Sequence, residues 1–255
     1  MKKHLFLFIA LITLAAMILG INISAVQAPS FSDVASDAWY AEPALWALGN
    51  NITQGTGPST FSPDNTCTTA QIITFLWRAA GKPEPSIANP YSDVYSGSYY
   101  EKAAIWAYEN QLVDGTTFNG EVPCTRLATV TYLWKLSDSP LTESSVAFDD
   151  ISSDNTYAHA VSWAVNNEIT KGTSTSTFSP YSTCTRSQIV TFLYRWNNNV
   201  GIPNRAETTE HLVWIPIHGG TKHHTNPNCS KMINPVQVTI EFAENCGYTD
   251  CKRCP

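Results

Sequence analysis

Charged residues are scarce in this sequence, and basic residues are scarcer than acidic ones. Only 14% of the 255 residues are charged, with 15 Lys and Arg against 21 Asp and Glu. The net charge of −6 argues against binding nucleic acid through bulk positive charge, so no nucleic-acid partner is expected. Hydrophobic residues make up 43% of the chain, which is enough for a sizeable core and excludes wholesale disorder.

The sequence also lacks the signatures of several common enzyme classes. Its seven cysteines are an odd number, which excludes a framework in which every cysteine pairs within the chain. It contains no Gly-x-Ser-x-Gly nucleophile elbow, no Walker motif and no Gly-x-Gly-x-x-Gly fingerprint. The absence of these signatures predicts a protein that is not an enzyme.

The hydrophobic run at the N-terminus is too short to span a bilayer comfortably. Leu5–Leu19 follows a basic start at Lys2 and Lys3 and carries one polar residue, Thr13, whereas a spanning helix needs about 20 apolar residues. Small residues follow, so residues 1–28 are predicted to be a secretory signal peptide. An uncleaved N-terminal anchor is the alternative. In both cases the rest of the chain is expected outside the cytoplasm. If the signal peptide is cleaved, no membrane contact is expected.

Charge and histidine content divide the remaining chain in two. Residues 29–200 carry 8 Lys and Arg against 16 Asp and Glu, a net charge of −8. Residues 201–255 carry 5 of each sign, a net charge of zero, and four of the six histidines. The chain is therefore predicted to have an acidic body and a neutral tail that bears His and Cys.

Six landmarks recur three times in the body, at steps of 57 or 60 residues. They are Phe31, Tyr91 and Phe148, each two residues before an Asp; Trp46, Trp106 and Trp163; Gly55, Gly115 and Gly172; Phe61, Phe118 and Phe178; Cys67, Cys124 and Cys184; and Phe75, Tyr132 and Phe192. Each unit is predicted to be a helix–loop–helix repeat whose second helix is capped by the Thr after the Cys. One unit is too small to bury its helices well, so the three should pack together.

The repeats resemble the S-layer homology domain family. The motifs that carry the resemblance are Phe31-Ser-Asp33, Trp46-Ala47, Gly55, Phe61-Ser-Pro63-Asp64 and Thr68-Thr-Ala-Gln71, with Phe178-Ser-Pro180 and Thr185-Arg186-Ser-Gln188 in the third repeat. The resemblance implies a mainly α fold with pseudo-threefold packing of three repeats, expected at 29–85, 86–140 and 141–200. It also implies non-covalent attachment to the bacterial cell wall through a secondary cell-wall polysaccharide, often one with a pyruvate ketal.

Arginine at the start of the second helix is the candidate glycan contact. Arg126 and Arg186 each follow a capping Thr, and free N–H groups at a helix start favour anions. A guanidinium adds a planar fork that suits a carboxylate such as a pyruvyl group. The candidate polysaccharide-binding set is Arg126, Arg186, Thr125, Thr185, Gly115 and Gly172. Repeat 1 departs from this pattern, because Thr69 stands at the arginine position. Alternatively, both arginines are ordinary exposed helix starts.

The other repeated residues are assigned structural roles. Asp33, Asp93 and Asp150, here called the loop aspartates, are expected to accept backbone hydrogen bonds. Trp46, Trp106 and Trp163 are expected in the helix core. Cys67, Cys124 and Cys184, here called the axial cysteines, are expected to behave as small buried hydrophobes, because no His accompanies them to complete a metal site.

The tail is predicted to be a linker, residues 201–210, followed by a small α+β domain, residues 211–255, that a metal stabilises. Cys251 and Cys254 can chelate one ion from a single turn, and His224 and Cys229 would complete four ligands for a structural zinc. His223 competes with His224, and Cys246 competes as a thiol ligand. The rival is oxidation of the four tail thiols into two disulfides, by any of three pairings, since the protein is exported.

The tail resembles a small zinc domain found at the ends of bacterial exported proteins, and it is also similar to the zinc domain of the Ada DNA-repair protein. The matching segment is Gly247-Tyr-Thr-Asp-Cys251-Lys-Arg-Cys254. Ada-like domains use four Cys ligands, and the first accepts a methyl group. His224 stands nearest that position here, so methyl transfer and DNA repair are not carried over.

The combined prediction is an exported, cell-wall-anchored surface protein that binds an anionic, pyruvylated polysaccharide and displays a structural zinc module. Four protein ligands with three thiolates are typical of a closed, non-catalytic site. Two alternatives stay open. The chain could be a wall-associated enzyme, such as a metal-dependent hydrolase, or an adaptor whose tail binds a protein partner.

Overall fold

The computed structural model describes residues 31–142, 148–152, 156–202 and 211–254. The predicted signal peptide and positions 203–210 of the predicted linker lie outside the described residues. The body contains six α-helices: α1 Ala41–Gly49, α2 Thr69–Ala79, α3 Glu101–Glu109, α4 Arg126–Leu136, α5 Thr156–Asn166 and α6 Arg186–Asn199. Each repeat contributes two of them, which confirms the helix–loop–helix prediction.

Threonine caps fix the start of the second helix in every repeat. Thr68 Oγ1 accepts a hydrogen bond from the Gln71 amide, and Gln71 Oε1 accepts one from the Thr68 amide at 3.2 Å. Thr185 and Gln188 form the same reciprocal pair. Thr125 keeps the cap alone, at 3.2 Å from the Ala128 amide. Such a cap stabilises a helix by about 1 kcal/mol, and all three were predicted from the sequence.

The second helix of each repeat packs against the first helix of the next repeat. The pairs are α2 with α3, α4 with α5, and α6 with α1. Because the third repeat returns to the first, the three repeats form a closed ring with pseudo-threefold symmetry. The three repeat tryptophans are buried in the core, as predicted.

The axial cysteines surround the centre of this ring. Their backbones form a cycle, in which the Cys67 amide donates to the Cys184 carbonyl, Cys124 to Cys67, and Cys184 to Cys124, at 2.9–3.0 Å. Their side chains are buried. Burial raises the pKa of Cys67 and Cys124 to about 12 and that of Cys184 to about 11. The prediction that these cysteines are small buried residues is therefore confirmed.

The loop aspartates tie the start of each repeat to the loop before its second helix. Asp33 Oδ1 and Oδ2 accept hydrogen bonds from the amides of Phe61 and Ser62 at 2.8 and 2.7 Å. Asp93 and Asp150 do the same in their own repeats. The second residue of each amide pair, such as Ser62, has a left-handed backbone, so the carboxylate holds a conformation that costs about 1–2 kcal/mol.

The tail is a small α+β unit that packs on repeat 1. It contains β1 Leu212–Ile215, β2 Lys222–His223, a 3₁₀ turn Cys229–Lys231, β3 Val236–Thr239, α7 Ile240–Asn245 and β4 Thr249–Asp250. Strand β1 pairs antiparallel with β3, and β2 pairs parallel with β4. Strand β3 packs against α1, and the buried Val and Ile side chains of β1 and β3 join the core of the body.

Candidate glycan grooves and metal site

Arg186 inserts its side chain into repeat 1. Its guanidinium lies between the rings of Phe61 and Phe75, with Cζ at 5.0 and 5.4 Å from the ring centroids. Nε donates to the Phe61 carbonyl at 2.7 Å, and Nη2 donates to Thr53 Oγ1 at 3.2 Å. Only 4% of the residue is exposed.

Arg126 of repeat 2 makes the equivalent contacts with repeat 3. Its guanidinium lies between Phe178 and Phe192, at 5.0 and 5.4 Å. It donates to the Phe178 carbonyl at 2.9 Å and to Thr170 Oγ1 at 3.3 Å. Arg126 is also 4% exposed, so neither arginine is an ordinary exposed helix start. Burial lowers the pKa of both guanidinium groups, yet an arginine keeps its charge in proteins.

The expected anion site at the helix start is not available. The Arg126 amide donates to the Ser182 carbonyl at 2.9 Å, and the Arg186 amide donates to the Asn65 carbonyl at 2.9 Å. The next amide along each helix also donates to a carbonyl of the neighbouring repeat. The hydroxyls of Thr125 and Thr185 are occupied as caps. The prediction of free helix-start N–H groups is therefore wrong, because ring closure pairs them with the adjacent repeat.

The corresponding place in repeat 2 is built without an arginine. Thr69 of repeat 1 stands at the arginine position, and its hydroxyl donates to the Val122 carbonyl at 3.1 Å, at the helix start. Val113 stands at the position of Thr53 and Thr170 and offers no hydroxyl. The sequence thus replaces both members of the arginine–threonine pair together.

Gly172 and Gly115, the two glycines of the candidate set, differ in the same respect: one lies beside an arginine–threonine pair and the other does not. Gly172 has φ +81°, its amide donates to Thr170 Oγ1 at 3.3 Å, and a Cβ there would lie 2.6 Å from the Thr177 carbonyl oxygen. Gly115 has φ +94° but open space around it. Of these two glycines, Gly172 is the one tied to a threonine that holds an arginine, as Gly55 is tied to Thr53 in repeat 1.

A cavity of about 260 Å³, here called groove 1, lies beside Thr53 at the boundary of repeats 1 and 2. Its lining includes Thr53, Gly55 and Phe75 on one side, and Arg78 and Tyr99 at its mouth. Arg186 lies directly behind Thr53 and Phe75, and Tyr99 is 59% exposed. Groove 1 therefore combines an exposed aromatic ring, an arginine at its mouth and a buried positive charge behind its wall.

The equivalent surface at the boundary of repeats 3 and 1, here called groove 3, repeats this set. Trp39 takes the place of Tyr99 and is 60% exposed, and Arg195 takes the place of Arg78. Both arginines are held by equivalent hydrogen bonds. Arg78 donates to the Ile52 carbonyl, and Arg195 donates to the Ile169 carbonyl. The third surface, at the boundary of repeats 2 and 3 and here called groove 2, has Lys135 at the position of Arg78, and Thr156 is its sequence equivalent of Tyr99.

Sequence reasoning missed the residues at the mouths of the grooves. Trp39 and Tyr99 align at one repeat position, and Arg78, Lys135 and Arg195 align at another. Comparing the repeats for exposed aromatic and basic residues, rather than for shared landmarks, would have found them.

The metal ligands chosen from the sequence come together. The ligand atoms of His224, Cys229, Cys251 and Cys254 all lie within 4.8 Å of one another, so this cluster could hold a metal ion. Cys229 Sγ lies 3.8 Å from Cys251 Sγ, and Cys254 Sγ lies 3.5 Å from His224 Nδ1. A tetrahedral zinc implies separations of about 3.8 Å between sulfurs and about 3.5 Å between sulfur and nitrogen. A disulfide would require about 2.05 Å.

Local structure prepares these ligands for a cation. The Arg253 amide donates to Cys251 Sγ at 3.4 Å. This hydrogen bond, together with those involving Cys254 and Cys229, lowers the pKa of Cys251 to about 7. Burial lowers the pKa of His224, which favours the neutral imidazole that binds metal. The His224 amide and carbonyl both pair with Trp214, at 2.8 and 2.7 Å, so the backbone of this ligand is fixed.

The two competing ligands lie outside the cluster. His223 points its Nε2 toward Asp250 Oδ1, at 3.3 Å. Cys246 follows α7 and packs against the apolar core, and burial raises its pKa to about 11. The choice between His223 and His224 is settled by strand geometry, because neighbouring residues of an extended segment point to opposite faces.

Comparison with known proteins bears on the repeats. Residues 30–73, 90–128 and 147–190 match the S-layer homology domain family. An endoglucanase from Bacillus sp. (strain KSM-635) is 32% identical over 177 residues, which is 66% of this chain. The chain spans 18% of the length of that relative.

The helices give no sign of a membrane span within the described ranges. None of them there is both long and apolar enough to cross a bilayer. The closed ring of three helix pairs and the three family matches agree in position and number. The three repeats are therefore S-layer homology domains, and the chain is a secreted S-layer homology protein associated with the cell wall.

Proposed function

We propose that this protein is held on the bacterial cell wall by two of its three grooves, which bind an anionic, pyruvylated secondary cell-wall polysaccharide. One observation carries the proposal. Grooves 1 and 3 each have the arginine–threonine pair and an exposed aromatic ring, and groove 2 lacks all three. Structural packing alone would not require the exposed ring and the buried arginine to be present or absent together.

The charge of the grooves favours a carboxylate ligand. Among the described residues, neither Arg126 nor Arg186 forms a salt bridge. Asp150 and Asp33 attract these arginines without contacting them, so each buried charge is only partly compensated and stabilises a further anion near it. Arg78 and Arg195 add a partly buried guanidinium beside each groove, and its donors that are not bonded to Ile52 or Ile169 suit a carboxylate. Trp39 and Tyr99 offer flat apolar faces to a sugar ring. An acidic body can thus bind an acidic polymer at discrete places.

Binding to isolated wall material tests this proposal. The full chain should sediment with cell-wall sacculi and lose this ability when the polysaccharide is removed. Trp39→Ala and Tyr99→Ala together should abolish sedimentation, because each removes the sugar platform of one groove. Lys135→Ala is the matched control, since Lys135 is the groove 2 equivalent of Arg78. Equal sedimentation of the double variant and the control variant would refute the assignment.

The buried arginines of the candidate set have a supporting role in this proposal. Arg126 and Arg186 supply charge from behind the groove walls and hold Thr170 and Thr53 in place. Gly172 and the capping threonines shape the loops, and Gly115 belongs to groove 2. The repeats are proposed at 29–85, 86–140 and 141–200, with the linker at 201–210 and the tail domain at 211–255.

We also propose that the tail cluster binds zinc and that the zinc is structural. Three thiolates and one imidazole leave no open position for water or substrate, which supports a protein that is not an enzyme. The purified chain should contain one zinc per molecule. Cobalt substitution should give the absorption spectrum of a tetrahedral site with three sulfur ligands. A five-coordinate spectrum or a bound water would revive the hydrolase alternative.

A second role for the tail, as an adaptor, is favoured by a cavity of about 710 Å³ beside the metal site. Its lining includes Lys222, Lys231, Lys252 and Arg253, together with the exposed Ile233. Such a surface suits an acidic partner with an apolar side chain. Charge-reversal of Lys231 and Lys252 should then release tail-bound protein without changing wall binding, whereas unchanged capture would refute the role.

A further inference from the structure

The tail domain is fastened to one end of one body helix. Asn50, the residue after α1, donates through Nδ2 to the Gln237 carbonyl at 2.8 Å. Thr239 Oγ1 donates to the Gly49 carbonyl at 3.2 Å, in a buried position. Strand β3 therefore covers the last turn of α1 with both polar and apolar contacts.

Gly49 is the residue that lets the strand approach. A Cβ on Gly49 would lie 2.3 Å from Val238 Cγ1 and 3.2 Å from Phe242 Cδ1, so any side chain would displace the tail. The equivalent residues of repeats 2 and 3 are Glu109 and Asn166. Repeat 1 is thus the only repeat whose first helix ends in a residue small enough to accept β3.

The docking point is continuous with the wall of groove 1. Asn50 Nδ2 also donates to the Trp46 carbonyl at 2.9 Å, which fixes the side chain that meets the tail. Three residues later, Thr53 accepts the hydrogen bond of Arg186 and lines groove 1. Between them, the Ile52 carbonyl accepts the hydrogen bond that holds Arg78 at the mouth.

We propose that the tail domain is a positioning element of groove 1. By clamping the end of α1, it sets the path of residues 50–55 and so the places of Thr53 and Arg78. This inference rests on the proposed function, because it assigns an influence over one glycan-binding groove. Within the described residues no strand packs on the helix that ends at Asn166, so groove 3 has no such brace there. The two grooves therefore respond differently when the tail is released.

A variant pair separates the two grooves. Gly49→Glu places the repeat 2 residue where β3 docks, and Asn166→Glu makes the same change at the exposed equivalent position. Both are introduced into Trp39→Ala, which leaves groove 1 as the binding site, and into Tyr99→Ala, which leaves groove 3. Affinity for purified pyruvylated wall glycan is measured for the full chain, and hydrogen exchange of Val236–Thr239 reports docking of the tail.

Gly49→Glu should speed exchange in Val236–Thr239 and weaken groove 1 roughly two- to tenfold, the effect of losing one well-placed hydrogen bond. Groove 3 should be unchanged, and Asn166→Glu should change neither groove. Faster exchange with full groove 1 affinity would overturn the inference, as would unchanged exchange. If the Trp39→Ala and Tyr99→Ala parents bind no glycan, then the proposed function fails, which is a distinct result.

Discussion

Replacing Arg186 by Ala should destabilise the body, because this side chain closes the ring from repeat 3 to repeat 1. The variant loses two hydrogen bonds from a charged donor, to Phe61 and Thr53, each worth about 1.5–3 kcal/mol. It also loses stacking between two rings and leaves a cavity. Part of this loss is offset, because the variant no longer has to desolvate a charged guanidinium. We expect a net loss of about 2–4 kcal/mol in the free energy of unfolding.

Urea and thermal unfolding of the full chain, followed by circular dichroism, measure this loss. A body of this size loses about 2–4 °C in Tm per kcal/mol, so a decrease of roughly 4–16 °C is expected. Lys102→Ala is the control, because its salt bridge to Glu84 is exposed and worth at most about 1 kcal/mol. A Tm for Arg186→Ala within about 1 °C of the parent would refute the role of this arginine in closing the ring.

Three further predictions follow from the ring. The axial cysteines should react with a thiol reagent only after unfolding, since burial raises their pKa, and reaction in the folded, metal-loaded protein would contradict this. For the loop aspartates, desolvation alone would raise the pKa, but the amide hydrogen bonds outweigh it and lower the pKa below 3.8. Their stabilisation is present above that value and lost as pH falls through the folded pKa, so Asp150→Asn should flatten the acid side of the stability curve. Finally, Thr69→Arg with Val113→Thr and Thr156→Tyr should add a third binding groove, which glycan titration would detect as a higher stoichiometry.

The repeat itself was predictable because its signals are local. A Thr followed three residues later by Gln marks a helix start, and a Trp repeated at equivalent positions marks a core. The cluster that could hold a metal ion was also predictable, since Cys251 and Cys254 can act from one turn. The sequence left open His223 against His224, Cys246 as a thiol ligand, and disulfides in place of a metal. Strand orientation brings His224, and not His223, into the cluster.

The burial of Arg126 and Arg186 could not be predicted from the sequence, and this has a physical cause. The sequence places each arginine at a helix start, where exposure is the ordinary expectation, but it does not state that this helix start docks into the next repeat. That docking buries the side chain and pairs the amides. Gly49 illustrates the same limit, because a glycine at a helix end is common and only the tail packed against it explains why a side chain is excluded.

Stoichiometry of glycan binding tests the central claim most directly. Isothermal titration of the full chain with a purified, pyruvylated wall glycan should give two sites per molecule. Tyr99→Ala and Trp39→Ala should each reduce the count to one. A count of three would contradict the claim that groove 2 is unequipped, and a count of zero would contradict wall anchoring through these grooves altogether.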